Sequence, residues 1–295
     1  MRILIIGLGA LGERYLEGFR QYEKDTGISI KIEYIDPRRV AACNCESTSW
    51  DMAVKVRYDL CVVSTNAVVR DRLYSDLIKI QAKYIVLEKN ISSSLLPLPE
   101  IRSLSDRDNV YVNFPLRNYP QYALAPRPLS HLTVEVTGQH WGLTCNAMHF
   151  LELYCYLTGS YSDFLLVAEL DERFDSKRPG INEYFGSVKM TSARGCIKLS
   201  SSNDHGDRTV ALHAPEYCFL QQGSQTLEFT VDDVSLTAPV TEIFQTTLSR
   251  DMLRDVAARA ELNLPSLSQV LPLHVQYLEA LGAVLQGSET ELRIA

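Results

Sequence analysis

Three glycines near the amino terminus have the spacing of a turn that cradles a pyrophosphate. Gly7, Gly9 and Gly12 follow Arg2–Ile6, an apolar run typical of a strand buried on both faces of a parallel sheet, and they precede apolar residues at helical spacing. The first glycine allows a tight turn, the second lets the backbone approach the pyrophosphate, and the third lets the helix pack close to the strand. The amides at the start of the helix then face the phosphate charge. The alternative is a structural glycine turn that binds no cofactor.

An acidic residue follows at the distance that this motif requires. Asp36 ends a second predicted strand, residues 30–35, and stands 24 positions after the third glycine. A carboxylate there can accept hydrogen bonds from both hydroxyls of an adenosine ribose, which favours NAD over NADP. A guanidinium from Arg38 or Arg39 could instead hold a 2′-phosphate, so NADP is the alternative cofactor. Asp36 could also serve only as a turn former before Pro37.

A charged tripeptide stands at the carboxyl end of another predicted strand, residues 84–87. It consists of Glu88, Lys89 and Asn90. Ligands of open parallel sheets bind beyond these strand ends. A partly desolvated lysine there can have its pKa lowered enough to exchange a proton near neutrality. A charged strand exit with both side chains in solvent explains the same residues equally well.

A predicted helix over residues 146–157 carries a polar stripe on an otherwise apolar surface. Asn146, His149 and Glu152 share one face because they are spaced three residues apart. Histidine carries protons near pH 7, so we interpret this face as one turned toward a cavity, with Glu152 orienting His149. The alternative is a core histidine hydrogen-bonded to Glu152.

Composition excludes several classes of function. The 295 residues are 46% hydrophobic and 22% charged, with a net charge of −7 and no long run of Lys or Arg. This balance predicts a soluble globular protein and argues against nucleic acid or an anionic membrane as the partner. The seven cysteines include no C-x-x-C pair, so we expect no disulfide framework and no metal site. The glycines and the polar Glu13 and Arg14 argue against a signal peptide, and we expect a cytoplasmic protein.

The order of elements predicts an α/β fold with two domains. Strands alternate with helices up to about residue 114, including a helix over about 69–82, which indicates a Rossmann parallel sheet in residues 1–116. Several prolines follow, and then come strand-like runs between 164 and 238 and two closing helices, about 242–262 and 267–285. We therefore expect residues 117–295 to form a C-terminal α+β domain on a mixed or antiparallel sheet, used for substrate binding and oligomerisation.

The chain resembles the Gfo/Idh/MocA family of oxidoreductases, the relatives of glucose–fructose oxidoreductase and inositol dehydrogenase. The resemblance covers about residues 1–160 and rests on the strings GLGALG, DP, VVST, LEKN, NFPLRNYP and NAMHFLELYCYLTG. The family carries E-K-P at the fifth strand end, and Lys89 stands at its lysine. It also carries G-x-H-x-x-D before an L-T-G stop, on which His149 and Glu152 fall. Arg117 stands where many relatives have an arginine that faces the active site.

The resemblance implies a hydride transfer between nicotinamide and a hydroxyl-bearing carbon of a sugar, sugar nucleotide or polyol. In the family the lysine and the histidine contact the substrate hydroxyl and share its proton transfer. The string WGLTCNAMHF is similar to a subgroup found in bacterial surface-carbohydrate synthesis. The sequence departs from the family pattern at several positions, which leaves the substrate open: Thr65 with Asn66, Asn90, Cys145, Ala147 and Glu152.

These arguments give three sets of predicted site residues. The predicted catalytic residues are Lys89, His149 and Glu152. The predicted substrate contacts are Lys89, Arg117, Asn146 and His149. The predicted cofactor contacts, for NAD with NADP as the alternative, are Gly7, Gly9, Ala10, Leu11, Gly12, Asp36, Arg38, Ser64, Thr65, Asn66 and Glu88.

Other interpretations of the same residues remain open. Arg70 and Arg72 could reach a phosphate or carboxylate of the substrate, or could be a solvated helix start. The protein could reduce a linear tetrapyrrole or an amino-acid precursor, could be a non-catalytic NAD-binding sensor, or could be a scaffold with an empty Rossmann domain. We expect a small carbohydrate-like substrate as partner, and a homodimer or homotetramer formed through the sheet of the second half.

Overall fold

A computed structural model of the chain describes residues 1–37, 45–123, 125–175, 181–204, 206–223, 226–231, 234–239 and 243–285. Its contacts divide the chain into two compact units. The first contains Met1–Pro115 and Ile243–Gln269, and the second contains Leu116–Glu242 and Val270–Ala295.

The first unit is built on a six-stranded sheet in the order β3-β2-β1-β4-β5-β6, with every neighbouring pair parallel. This order is that of a Rossmann fold, in which the carboxyl ends of the strands meet at one edge and the order reverses between β1 and β4. Ile3, Leu4 and Ile5 are fully buried, as expected where helices cover both faces. The strands are β1 (Arg2–Ile6), β2 (Lys31–Ile35), β3 (Glu46–Ser47), β4 (Arg57–Val63), β5 (Gln81–Glu88) and β6 (Val110–Asn113).

The helices between these strands agree with the predicted alternation except in one segment. They are α1 (Ala10–Thr26), α2 (Trp50–Ala53), α3 (Ala67–Asp71), α4 (Tyr74–Leu77) and α5 (Leu98–Ser105). The single helix predicted over 69–82 is wrong, because α3 and α4 are separate and Gln81 already begins β5. Arg72 and Leu73 donate their amides to carbonyls three residues back, and this tighter turn separates the two helices.

The second unit is built on an eight-stranded mixed sheet in the order β14-β13-β12-β11-β7-β10-β9-β8. Among the described strands of this second sheet, β7 and β10 are the one parallel pair, and the other neighbours are antiparallel. The strands are β7 (Leu132–Gln139), β8 (Phe164–Asp175), β9 (Asn182–Ser192), β10 (Gly195–Ser202), β11 (Thr209–Ala214), β12 (Tyr217–Gln222), β13 (Thr226–Val231) and β14 (Val234–Pro239). The predicted mixed or antiparallel sheet is confirmed.

One long helix packs on this sheet and carries the predicted polar stripe. A short 3-10 helix, Pro115–Asn118, and α6 (Pro120–Ala123) precede β7, and α7 (Leu143–Thr158) follows it and packs against β9 and β10. Leu132, Val134 and Val136 of β7 are buried and alternate with exposed residues, as a sheet with one covered face requires.

The carboxy-terminal helices belong to different units. Helix α8 (Gln245–Ala258) packs on α1, and most of α9 (Leu267–Val284) lies in the second unit. The predicted division at residues 116 and 117 assigned all later residues to the second domain. The segment Ile243–Gln269 instead clusters with the first unit, because Leu253 and Val256 join its hydrophobic core beside Tyr15 and Phe19. Among the described residues, no helix combines the length and apolar character needed to cross a membrane.

Two helical glycines, one packed at the contact of α1 with α8 and one in open space on α9, predict opposite effects on stability when they are replaced by alanine. A Cβ at Gly18 would stand 2.4 Å from the carbonyl oxygen of Thr246 and 2.7 Å from Ser249 Cβ. We therefore expect Gly18→Ala to lower the free energy of unfolding by about 1–3 kcal/mol. A Cβ at Gly282, in α9, would meet no atom within 4 Å from the described residues outside its own helix backbone. Gly282→Ala should thus stabilise the protein by about 0.5–1 kcal/mol. Urea unfolding measures both, and equal stability of Gly18→Ala and wild type would contradict the packing of α8 on α1.

Candidate functional site

The glycine turn between β1 and α1 leaves no room for side chains. Gly7 has φ +90°, and a Cβ on it would stand 2.7 Å from Thr65 Cγ2. A Cβ on Gly12 would stand 2.2 Å from the carbonyl oxygen of Gly7. Gly9 occupies the amino-terminal cap of α1, and within the described part of the chain no side-chain cap hydrogen bond is made there. Ala10 and Leu11 form that turn, so its amide groups are available to an anion such as a pyrophosphate.

Asp36 is joined directly to this turn. Its carboxylate Oδ2 accepts a hydrogen bond of 2.7 Å from the amide of Leu8, and the amide of Gly7 donates to the carbonyl oxygen of Ile35 at 2.9 Å. The end of β2 and the glycine turn are therefore held together, as the motif requires of a residue that contacts a ribose. Arg38, the predicted alternative contact for a 2′-phosphate, lies outside the described residues.

The segment after β4 forms the other side of the glycine turn. Ser64 donates from Oγ to the carbonyl oxygen of Gly7 at 2.6 Å, and Asn66 caps α3 by accepting from the amide of Val69 at 2.8 Å. The hydroxyl Oγ1 of Thr65 is buried and has no hydrogen-bond partner among the residues that the structure describes. A buried hydroxyl without a partner is costly unless a ligand completes it, so this position fits a bound polar group.

The carboxylate of Glu88, at the end of β5, is buried and hydrogen-bonded to neighbouring elements. Its Oε1 accepts hydrogen bonds from Tyr15 Oη at 2.5 Å and from Asn113 Nδ2 at 2.8 Å, and the residue is 6% exposed. Burial raises the pKa of Glu88, and the hydrogen bonds from Tyr15 and Asn113 oppose that rise. Through Oε1 the side chain ties β5 to α1 and β6, and the predicted cofactor contact of Glu88 stays a prediction. Lys89 follows it, half-buried, and the Lys89–Asn90 peptide is cis.

In the second unit, Glu152 pairs with an arginine and not with the histidine. Its Oε1 accepts hydrogen bonds from Arg117 Nη2 and from Tyr161 Oη, the latter at 2.7 Å. Its Oε2 has no hydrogen-bond partner among the described residues. The side chains of Arg117 and Glu152 are 7% and 0% exposed. Burial raises the pKa of Glu152, and Arg117 opposes that rise. The predicted role of Glu152 in orienting His149 is therefore wrong, because the carboxylate is bound by residues from outside α7.

Arg117 is bonded within the second unit through one of its terminal nitrogens, and its predicted substrate contact stays a prediction. Its Nη2 donates to Glu152 and to Tyr161 Oη, the latter at 2.6 Å, and its guanidinium carbon stands 4.4 Å from the centre of the Tyr156 ring. Arg127 covers the same ring at 4.1 Å. The guanidinium is thus held by a carboxylate, a phenol and an aromatic face within the second unit.

His149 and Asn146 lie on α7 where the spacing predicted them. Both are half-buried, and Asn146 donates from Nδ2 to the carbonyl oxygen of Trp141 at 2.8 Å. The start of α7 is capped by Glu183, whose Oε2 accepts from the amide and the hydroxyl of Thr144 at 3.1 and 2.7 Å. Lys89 belongs to the first unit and His149 to the second.

Arg70 was misread from the sequence. It is 0% exposed, so it is neither a solvated helix start nor a surface contact for a phosphate. Helical spacing could have shown this, because Ala67, Arg70, Tyr74 and Leu77 repeat at intervals of three and four, and all four are buried. Arg72 is exposed.

The fold occurs in oxidoreductases of known structure. No family model and no curated protein matches the chain. A Gfo/Idh/MocA family oxidoreductase from Vibrio cholerae is similar at a TM-score of 0.67 and 16% identity, over 97% of this chain and 98% of that one. UDP-N-acetylglucosamine 3-dehydrogenase GnnA from Acidithiobacillus ferrooxidans has a TM-score of 0.68 and 17% identity, over 97% and 99% of the two chains.

A third similar structure is biliverdin reductase from Synechocystis sp. PCC 6803, in complex with biliverdin and NADP+. Its TM-score is 0.64 and its identity 11%, over 97% of this chain and 98% of that one. At these identities the similarity shows a shared fold. The predicted resemblance to the Gfo/Idh/MocA family is therefore confirmed for the fold.

The buried pair of Arg117 and Glu152 predicts a strong non-additive effect on stability. Glu152→Leu leaves a buried cation without its partner, and Arg117→Met leaves a buried carboxylate, so each should cost about 3–5 kcal/mol of unfolding free energy. The double variant Arg117→Met with Glu152→Leu should cost clearly less than the sum of the two. Urea unfolding gives the three values. Single-variant losses near those of exposed pairs such as Lys79 with Asp76 would contradict this assignment.

Proposed function

We propose that this chain, which has the fold of the Gfo/Idh/MocA oxidoreductases, is itself a nicotinamide-dependent oxidoreductase of that family. The observation that carries the proposal is the glycine turn at the carboxyl edge of the parallel sheet, with Asp36 hydrogen-bonded to it through Leu8. Uncapped helix amides, a carboxylate at the end of β2 and a buried hydroxyl at Thr65 without a partner are arranged as a dinucleotide needs them.

Each part of the dinucleotide has candidate contacts in the first unit. We assign the pyrophosphate to the amides of Gly9, Ala10 and Leu11, with Gly7 and Gly12 leaving the space, and the adenosine ribose to Asp36. We assign further contacts with the dinucleotide to the segment after β4, which contains Ser64, Thr65 and Asn66. When bound, the nicotinamide accepts or supplies a hydride. NAD is the preferred form, because a carboxylate at the end of β2 repels a 2′-phosphate.

The proposed substrate is a sugar, sugar nucleotide or polyol with a hydroxyl on the carbon that is oxidised. Support comes from the resemblance of residues 1–160 to the family and from the shared fold with a UDP-N-acetylglucosamine dehydrogenase. In the oxidising direction, the substrate hydroxyl would give its proton to a base of this chain. We assign the proton transfer to Lys89 and His149, and a hydrogen bond to a substrate oxygen to Asn146.

Reduction of a tetrapyrrole is the second candidate, because biliverdin reductase shares the fold over nearly the whole chain. A screen that combines each nicotinamide cofactor with UDP-sugars, free sugars, polyols and biliverdin separates the two candidates. A chain that binds NADH but acts on none of these would favour a sensor. Assembly into a dimer or tetramer stays a prediction.

The ribose contact predicts a specific loss of affinity in Asp36→Asn. The amide oxygen can still accept from Leu8, so the glycine turn should keep its geometry, whereas the charged acceptor for the ribose hydroxyls is lost. The dissociation constant for NADH should rise about 10- to 100-fold, the equivalent of one lost hydrogen bond to a charged group. The constant for NADPH should change less. Fluorescence titration with both cofactors measures this, with Asp59→Asn, at the amino end of β4, as the control.

The proton-transfer residues predict a loss of turnover without a loss of cofactor binding. Lys89→Met and His149→Asn should each lower kcat by about 10²- to 10⁴-fold, as removal of a general acid–base does. Lys83→Met, at the exposed start of β5, and His213→Asn, exposed on β11, are the matched controls. Steady-state kinetics on the substrate found in the screen measure the effect. Full turnover in both Lys89→Met and His149→Asn would refute these roles, and absence of binding of either dinucleotide at millimolar concentration would refute the proposed function.

A further inference from the structure

Arg70 is a fully buried cation whose hydrogen bonds go to main-chain carbonyls. Its Nη2 donates to the carbonyl oxygen of Thr65 at 2.7 Å, and its Nη1 donates to the carbonyl oxygen of Glu88. Nε has no hydrogen-bond partner within the described ranges of the chain. A single side chain therefore joins the exit of β4 to the exit of β5, the two segments that carry the proposed cofactor contacts and Lys89.

The neighbouring residues of α3 and α4 hold the segment that follows Lys89. Asp71 accepts from Ser92 Oγ at 2.6 Å, and from the amide and the hydroxyl of Ser93 at 3.1 and 2.6 Å. Tyr74 donates from Oη to the carbonyl oxygen of Ile91 at 2.5 Å. The backbone is therefore held on both sides of Lys89. Arg70 binds the carbonyl oxygen of Glu88 before it, and Asp71 and Tyr74 bind residues 91–93 after it.

An arginine suits the first of these anchors for a geometric reason. The planar guanidinium holds several donors in a rigid fork, so it can reach two carbonyls on different strands at once. Lysine would keep the charge, but it offers one flexible ammonium in place of the fork. Burial of a charge is costly, and here the two hydrogen bonds to main-chain carbonyls offset part of that cost.

We propose that Arg70 is a positioning residue that fixes the Thr65–Asn66 and Glu88–Lys89 segments relative to each other. The assignment rests on the proposed function, because these segments matter to the reaction only if the first unit binds a nicotinamide cofactor. Arg70 acts through the backbone of both segments and touches neither cofactor nor substrate.

The test compares Arg70→Met and Arg70→Lys with Arg107→Met. Arg107 also donates to main-chain carbonyls, those of Ile78 and Ile80, but near the amino end of β5. Thermal unfolding, NADH titration and amide hydrogen exchange are measured on all three variants and on wild type. Arg70→Met should raise the dissociation constant of NADH about tenfold or more, and residues 64–66 and 88–93 should exchange about tenfold faster.

Arg70→Lys should show the same changes to a smaller degree, because it keeps the charge without the fork. Arg107→Met should leave the NADH constant and the exchange of both segments within about twofold of wild type, even where its melting temperature falls as far. A folded Arg70→Met with unchanged affinity and exchange would overturn the proposal. If Arg70→Met does not fold, Arg70→Lys decides by the same two measurements. If wild type binds neither NADH nor NADPH, the proposed function fails, and hydrogen exchange alone decides whether Arg70 fixes the two segments.

Discussion

The first unit depends on the close approach of α1 to the exits of β1 and β4. A Cβ on Gly12 would stand 2.2 Å from the carbonyl oxygen of Gly7, and that same oxygen accepts from Ser64 Oγ at 2.6 Å. Side chains in this turn would push the helix away and break the contact with β4. The turn therefore fixes at once the direction of α1, the place of its uncapped amides and the path of the segment after β4.

The core on the other side of α1 requires residues that are distant in sequence. Tyr15 and Phe19 face Leu253 and Val256 of α8, and Gly18 lets the two helices touch. The first unit is therefore completed by a segment that follows the whole second sheet. A sequence pattern shows that α8 is an amphipathic helix, but it does not show which core the helix covers, because either sheet could accept an apolar face.

Local patterns predicted what local physics decides. The buried strands, the glycine turn and the helix carrying His149 follow from periodicity and from the steric freedom of glycine. The same patterns did not predict which residues pair with the buried charges. The spacing placed Glu152 on one face with His149, yet its carboxylate is taken by Arg117, 35 residues earlier. Arg70 shows the same limit, since only its helical spacing indicated burial, and its acceptors are carbonyls that no residue type reveals.

Both units use a buried arginine next to a proposed proton-transfer residue. Arg70 binds the carbonyl that precedes Lys89, and Arg117 binds Glu152, one helical turn after His149. Buried charges contribute little net stability, since desolvation offsets most of the attraction, but they tolerate few alternative geometries. A lysine or histidine that transfers a proton must be held in a precise position, and this requirement is separate from the overall stability of the fold. The cost of burying these two cations is consistent with a protein in which the exit of β5 and the face of α7 must each hold one position.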